Sequence, residues 1–160
     1  MRPVCPDDAE ALTEILNPII ETGLYTVLDT KFTVDHERAF IEAFPDRGVF
    51  LAAEIDERVV GFQVLEPIAD YTHAFDHVAS LGTFVKLDRR SQGIARALFE
   101  ATLRAARKKG YEKLFTFVRA DNPAALAVYK SQGFSEVGRA ARQAKINGCY
   151  IDELMIEKFL

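Results

Sequence analysis

The run Asp88-Arg89-Arg90-Ser91-Gln92-Gly93-Ile94-Ala95 constrains this chain more than any other segment. An apolar, strand-like stretch, Leu81 to Leu87, runs into it. A helix-like stretch with Ile94, Leu98, Ala101 and Ala105 on one side leaves it. A turn between strand and helix points several backbone N–H groups into one small volume at the positive end of the helix. That is an anion site, best suited to phosphate or pyrophosphate. Gly93 lacks the Cβ that would hold a phosphate off the backbone, and Ala95 is nearly as small. Arg89 and Arg90 add charge that can pair with phosphate oxygens.

The remaining composition narrows the ligand. At 160 residues the chain is expected to form one domain, 1–160, with a real core. With 49% hydrophobic and 28% charged residues it has the balance of a globular protein. No apolar run approaches the roughly 20 residues of a membrane span, and no signal-peptide layout opens the chain, so no membrane partner and a cytoplasmic location are expected. The net charge of −4 argues against a nucleic-acid partner. The basic residues gather between Lys86 and Lys113, which fits a local anionic ligand. Cys5 and Cys149 are two isolated thiols, too few and too far apart for a disulfide framework or a zinc motif.

The element order follows from periodicity and breakers. Pro6-Asp7-Asp8 starts a helix expected to run to about Asn17 and to be ended by Pro18. Thr33 can cap a second helix bearing Phe40, Ile41 and Phe44. The stretch between, Ile19 to Phe32, reads as an irregular apolar loop, either core cover or a substrate wall. Val49 to Ile55 and Val59 to Leu65 read as a hairpin across Asp56-Glu57-Arg58. A long strand, His77 to Leu87, follows, in which Gly82 hints at a bulge or a close backbone approach. Then come a helix from Gln92 to Lys109, a strand from Lys113 to Arg119, and a short helix from Asn122-Pro123 to Gly133. The strands Glu136 to Ile146 and Cys149 to Phe159 flank Asn147-Gly148, a strong hairpin signal. Met1 to Val4 is expected to form a short first strand. The order predicts an α/β domain of α+β type, with a mixed, mostly antiparallel central sheet and flanking helices.

Arg90-Ser91-Gln92-Gly93-Ile94-Ala95 fits the Arg/Gln-x-x-Gly-x-Gly/Ala pattern of the GNAT N-acetyltransferases. About thirty residues on, Asn122-Pro123-Ala124-Ala125, Tyr129 and Gly133-Phe134 resemble that superfamily's second signature. The two blocks stand in the right order, between a meander and a closing hairpin, and the resemblance covers essentially the whole chain. Ala120-Asp121-Asn122-Pro123-Ala124 and Asp152-Glu153-Leu154-Met155 look like the phosphinothricin acetyltransferase group, which acetylates the α-amino group of small amino acids or their analogues.

The resemblance implies an acetyl-CoA co-substrate and no metal. The backbone amides of Gln92 to Arg96 (Gln92, Gly93, Ile94, Ala95, Arg96) would hold the pyrophosphate, with Arg89, Arg90 and Ser91 of the turn also binding the cofactor. Phe84 and Val85 would pair with the pantetheine arm and offer an N–H to the oxyanion. Asn122 and Ala125 would touch the pantetheine side, and Tyr129 would protonate the departing thiolate. The group tends to carry a glutamate as general base at the position held here by Ser80, so the usual base is missing. His77 and Asp76 stand as substitutes, because a histidine titrates near working pH, and Glu66 is a further candidate. His73, Asp76 and His77 form a short titratable cluster before the long strand; a metal site would need a third ligand and a fourth position, and a solvated loop is the plainer reading.

The expected activity is direct acetyl transfer to a primary amine, with a small-molecule acceptor, an amino acid or analogue, favoured. The alternatives are a protein or peptide N-terminus, a polyamine, or a non-catalytic acyl-CoA-binding domain. Members of the group often pair, which implies a homodimer.

Overall fold

The computed structural model describes residues 1–160. In chain order it contains β1 (Arg2–Pro3), α1 (Ala9–Glu21), α2 (Val34–Glu42), β2 (Val49–Ile55), β3 (Arg58–Pro67), β4 (Val78–Val85), α3 (Ile94–Lys108), β5 (Lys113–Arg119), α4 (Pro123–Ser131), β6 (Ser135–Ile146) and β7 (Cys149–Phe159), with short 3₁₀ turns between. The strands form one sheet in the order β1-β2-β3-β4-β5-β7-β6. Every neighbouring pair is antiparallel except β4 and β5. This is the mixed, mostly antiparallel α+β architecture that the element order predicts.

Side-chain alternation divides the sheet between two cores. On one face Ala79 and Leu81 of β4, Leu114 and Val118 of β5, and Leu154 and Ile156 of β7 pack against Phe99 and Leu103 of α3 and Tyr129 of α4. On the other, Phe50 and Phe62 meet Leu12, Ile15, Leu16 and Ile19 of α1, with Phe84 of β4 packed at the margin. Burying a Leu or Phe side chain stabilises by roughly 2 kcal/mol, so these two clusters fix how the helices sit.

Local chemistry explains most of the boundaries. The Thr33 hydroxyl accepts the His36 amide and caps α2, as expected. Asp56-Glu57 and Asn147-Gly148 are two-residue turns with positive φ at both positions, the geometry that matches the twist of a hairpin. The first connection is one residue shorter than expected, because Arg58 already pairs with Ile55.

Three expectations are corrected. Pro18 does not end α1, which continues to Glu21. Its ring lies on the exposed side, where water can satisfy the Glu14 carbonyl that a proline leaves without a donor, while Ile19 and Ile20 beyond it are buried. Gly82 makes no bulge. It pairs in register with Val64, and a Cβ there would lie 3.1 Å from the Phe84 ring, so the crowding comes from a side chain. The helix expected from Gln92 begins at Ile94, because Ser91 (φ 61°) and Gly93 (φ 79°) both sit in the left-handed region and hold the turn open.

Candidate active site

The site originates in the one parallel contact of the sheet. β4 and β5 pair only at Val78–Lys113 and Ala79–Leu114 and then separate. The Thr116 hydroxyl donates to the Leu81 carbonyl at 3.0 Å, bridging the strands at the closed end of the resulting wedge. Beyond it a cavity of about 370 Å³ opens between β4, the Arg89–Arg96 turn and α4.

The ladder to β3 decides which β4 backbone groups face this wedge. Lys86 donates its amide to Val60 O, and Ile68 donates to Val78 O. Antiparallel bonding alternates, so the even-numbered residues between them, Phe84 included, exchange their bonds with β3. The odd-numbered residues Thr83 and Val85 present N–H and C=O to the wedge. The expected backbone role of Phe84 is therefore corrected. Its amide is committed to β3 and its ring lies 5.0 Å from that of Phe62, whereas Val85 keeps the orientation expected of it.

At the wide end, no backbone N–H from Arg90 to Arg96 donates to another group of the chain. Residues at a helix N-terminus leave such donors over, and here they converge on the turn. A Cβ placed on Gly93 would meet no atom within 4 Å, so the cradle is open. Arg89, Arg90, Ser91, Gly93, Ile94, Ala95 and Arg96 all border the cavity, as do Phe84, Val85, Asn122, Ala125 and Tyr129. Gln92 belongs to the turn but is exposed and points outside it. These residues suit a ligand with a pyrophosphate at one end and an extended amide-bearing arm at the other, which fits coenzyme A.

Tyr129 sits at the inner end. Its ring makes edge contacts with Phe99 and Phe134 at 5.3 and 5.1 Å. Burial pushes its phenol pKa up, opposed in part by the neighbouring Thr83 hydroxyl. Asn122 borders the cavity, and its side chain also bonds within the chain. Its Oδ1 accepts the Ala125 amide and caps α4, and its Nδ2 donates to Tyr25 O at 3.4 Å.

Ser80 and His77 lie outside this cavity. His77 is exposed just before β4, where its carbonyl accepts the amides of Glu112 and Lys113, at the end of the strand opposite the wedge. His73 and Asp76 make a surface network with Arg47, whose Nη1 is 3.0 Å from Asp76. No group of three or more His, Cys, Asp or Glu side chains gathers as a metal site. Ser80 faces Glu66 across β3 and β4, on the sheet face away from α3 and α4. Burial raises the Glu66 pKa. Glu153 of β7 is buried, without an ion-pair partner, and burial raises its pKa against the pull of Arg119.

Four residues that build the site belong to no motif. The Arg119 guanidinium donates to Gly23 O at 2.7 Å, to Thr26 O at 3.0 Å and to Asp121, pinning the α1–α2 loop over the end of β5. Tyr25 of that loop borders the cavity. Gln63 and Thr83 sit side by side under it, the amide of one donating to the hydroxyl of the other at 2.7 Å. Gln63 had a visible signal. It is a polar residue at an inward position of an otherwise apolar strand, and a buried amide needs a partner.

The acetyltransferase (GNAT) family profile matches residues 11–134, and the chain belongs to that family. Human N-acetyltransferase 8 is 34% identical over 96 residues, which is 59% of this chain and 42% of the human protein. The crystal structure of ribosomal-protein-alanine N-acetyltransferase from Brucella melitensis superposes with a TM-score of 0.93 at 28% identity, over 99% of this chain and 98% of that one. A phosphinothricin acetyltransferase from Sinorhizobium meliloti, solved with acetyl-CoA, shares the fold with a TM-score of 0.91 at 16% identity, over 99% of this chain and 86% of that one.

Proposed function

We propose that the 160 residues act as one acetyl-CoA-dependent N-acetyltransferase domain. The observation that carries this reading is the continuity of the cavity. Free backbone amides at the start of α3 lead along the unpaired edge of β4, at Val85 and Thr83, to the Tyr129 phenol. A thioester bound along that edge is activated for attack by a neutral amine, and the chain supplies the rest. The Thr83 N–H faces the wedge and receives the developing oxyanion. As the C–N bond forms and the C–S bond breaks, Tyr129 gives its proton to the departing sulfur and regains one from solvent. The proton lost from the amine passes to water, with half-buried Glu66 and buried Glu153 as the carboxylates on the proposed acceptor face of the sheet. His77 is too remote for that step, and Ser80 serves at most through Glu66.

The favoured acceptor is the α-amino group of a small amino acid or analogue, in keeping with the resemblance to the phosphinothricin group. A second reading, a protein N-terminus or polyamine, draws support from two observations. The unpaired Glu153 suits a cationic amine that bears no adjacent carboxylate, and Phe117, 41% exposed on the same face, leaves room for a longer acceptor. The Brucella relative, a ribosomal-protein-alanine N-acetyltransferase, points the same way. Acetyl-CoA turnover against a panel of free amino acids, their amides, polyamines and short peptides tests both. Turnover of amides and peptides but not of free amino acids selects the second reading, and binding of acetyl-CoA with no turnover on any amine refutes the enzyme.

A further inference from the structure

We propose that Gln63 and Thr83 are positioning residues that set the direction in which Tyr129 delivers its proton. The inference rests on Tyr129 being the acid of the proposed reaction. Gln63 is wholly buried, an uncommon place for a glutamine amid apolar strands, and its only side-chain hydrogen bond runs from Nε2 to Thr83 Oγ1 at 2.7 Å. Its Oε1 has no partner at all. A leucine would fill the same space without stranding a carbonyl, so the fold by itself gives no reason for an amide here.

The sense of the bond follows from what would be stranded. Were Thr83 the donor, both N–H groups of Gln63 would be buried without acceptors, a worse outcome than one unsatisfied carbonyl. With Gln63 as donor, a lone pair of Thr83 Oγ1 is taken, and the single Thr83 hydrogen is free to turn to its other neighbour. Thr83 and Tyr129 border the same cavity, and the Tyr129 phenol is the group that the Thr83 hydroxyl favours in its ionised form, so the hydrogen is assigned to that side.

The proposed chain, from the observed Gln63–Thr83 bond on to Tyr129 Oη, has two consequences. With Tyr129 accepting from Thr83, its own hydrogen cannot point back and is left for the cavity that Tyr129 and Thr83 both border. The phenolate left after proton transfer to sulfur is held by the Thr83 hydroxyl until solvent returns a proton. The O–H bond of Tyr129 breaks as the S–H bond forms, and neither Gln63 nor Thr83 gains or loses a proton.

The test is the pH dependence of kcat and of acetyl-CoA KM for wild type, Tyr129→Phe, Thr83→Val, Thr83→Ser, Gln63→Leu and the double variant Thr83→Val/Tyr129→Phe. Thr83→Val should lower kcat about tenfold and move the alkaline limb to higher pH, because the phenol loses the donor that eased its ionisation, with KM changed by less than about twofold. Thr83→Ser should restore both properties. Gln63→Leu should lower kcat in the same direction but less. In the Tyr129→Phe background, Thr83→Val should have no further effect on kcat. If Tyr129→Phe keeps the wild-type rate and alkaline limb, the acid reading and the positioning role both fall. If Tyr129→Phe is impaired while Thr83→Val is indistinguishable from wild type, the positioning role alone falls. Equal impairment by Thr83→Val and Thr83→Ser with an unmoved limb also overturns it.

Discussion

The Arg90 guanidinium carbon lies 3.9 Å from the centroid of the Tyr25 ring, so a side chain of the phosphate turn rests on one from the α1–α2 loop. The turn proposed to bind the donor and the loop read as core cover or substrate wall are thereby in contact through a cation–π pair worth about 1 kcal/mol. Tyr25→Leu removes it. Steady-state kinetics should show the acceptor KM rising about fivefold, the factor that free energy corresponds to, with a smaller change in kcat. An unchanged acceptor KM would mean the loop is positioned without Arg90.

Gly93→Ala separates strain from steric exclusion. At φ 79° an alanine costs about 1 kcal/mol of folding stability, read by denaturant unfolding. The added methyl meets no protein atom within 4 Å, so any further effect falls on the ligand in the cradle. Calorimetric titration with coenzyme A should show affinity reduced by about tenfold or more, beyond the stability loss. Equal losses in stability and affinity would remove the cradle from its assigned role.

Arg119 is 5% exposed and holds two loop carbonyls as well as Asp121. Arg119→Ala strands those acceptors and should cost about 3 kcal/mol. Hydrogen exchange should quicken across residues 22–28 before it does in β5. Uniform exchange across the chain would show that Arg119 supports the whole fold and not the loop in particular.

Asp8 gives the clearest pH dependence of stability. Arg2 clamps its carboxylate with two bonds of 2.7 Å and the Cys5 amide adds a third, which lowers its pKa from 3.8 to about 2. A carboxylate depressed in the folded state adds stability above its unfolded pKa near 4 and loses it as pH falls toward 2. Asp8→Asn should lower stability at pH 7 by about 1–2 kcal/mol, allowing for the exposure of Arg2, and flatten the stability curve between pH 4 and 2. Unfolding midpoints measured across that range decide it, and a parallel wild-type and variant curve would contradict the pairing.

How far the sequence revealed the molecule depends on the range of the forces involved. Turns and caps are local. Thr33, Asn122, Asn147-Gly148 and the Arg90–Ala95 run are readable because their physics is complete within a few residues. Pro18 misleads, since its cost is local but the burial of Ile19 and Ile20 that offsets it comes from the sheet. The turn and the Asn122–Tyr129 helix, which the proposed function assigns to the donor, are nearly all legible as motif. The long-range pairs that finish the site are not. Arg119 reaches Gly23 across 96 positions and Gln63 reaches Thr83 across 20, and no spacing rule announces such pairs. The direction of the Phe84 amide depends on the ladder register to β3, which the alternation of side chains alone leaves open.

The parting of β4 from β5 also bears on how the molecule holds together. Two residue pairs and one threonine hydroxyl join a four-stranded half-sheet to a three-stranded one, and past them lies a row of backbone groups with no strand to meet. The missing strand is not encoded in the chain. On the proposed function, a pantetheine arm laid there is borrowed secondary structure that splices the two halves, which would make the donor a folding partner as well as a reactant. By mass action, a donor at one hundred times its Kd adds about 2.7 kcal/mol to the folded state. On that reading the endurance of the protein tracks the supply of the molecule it would consume.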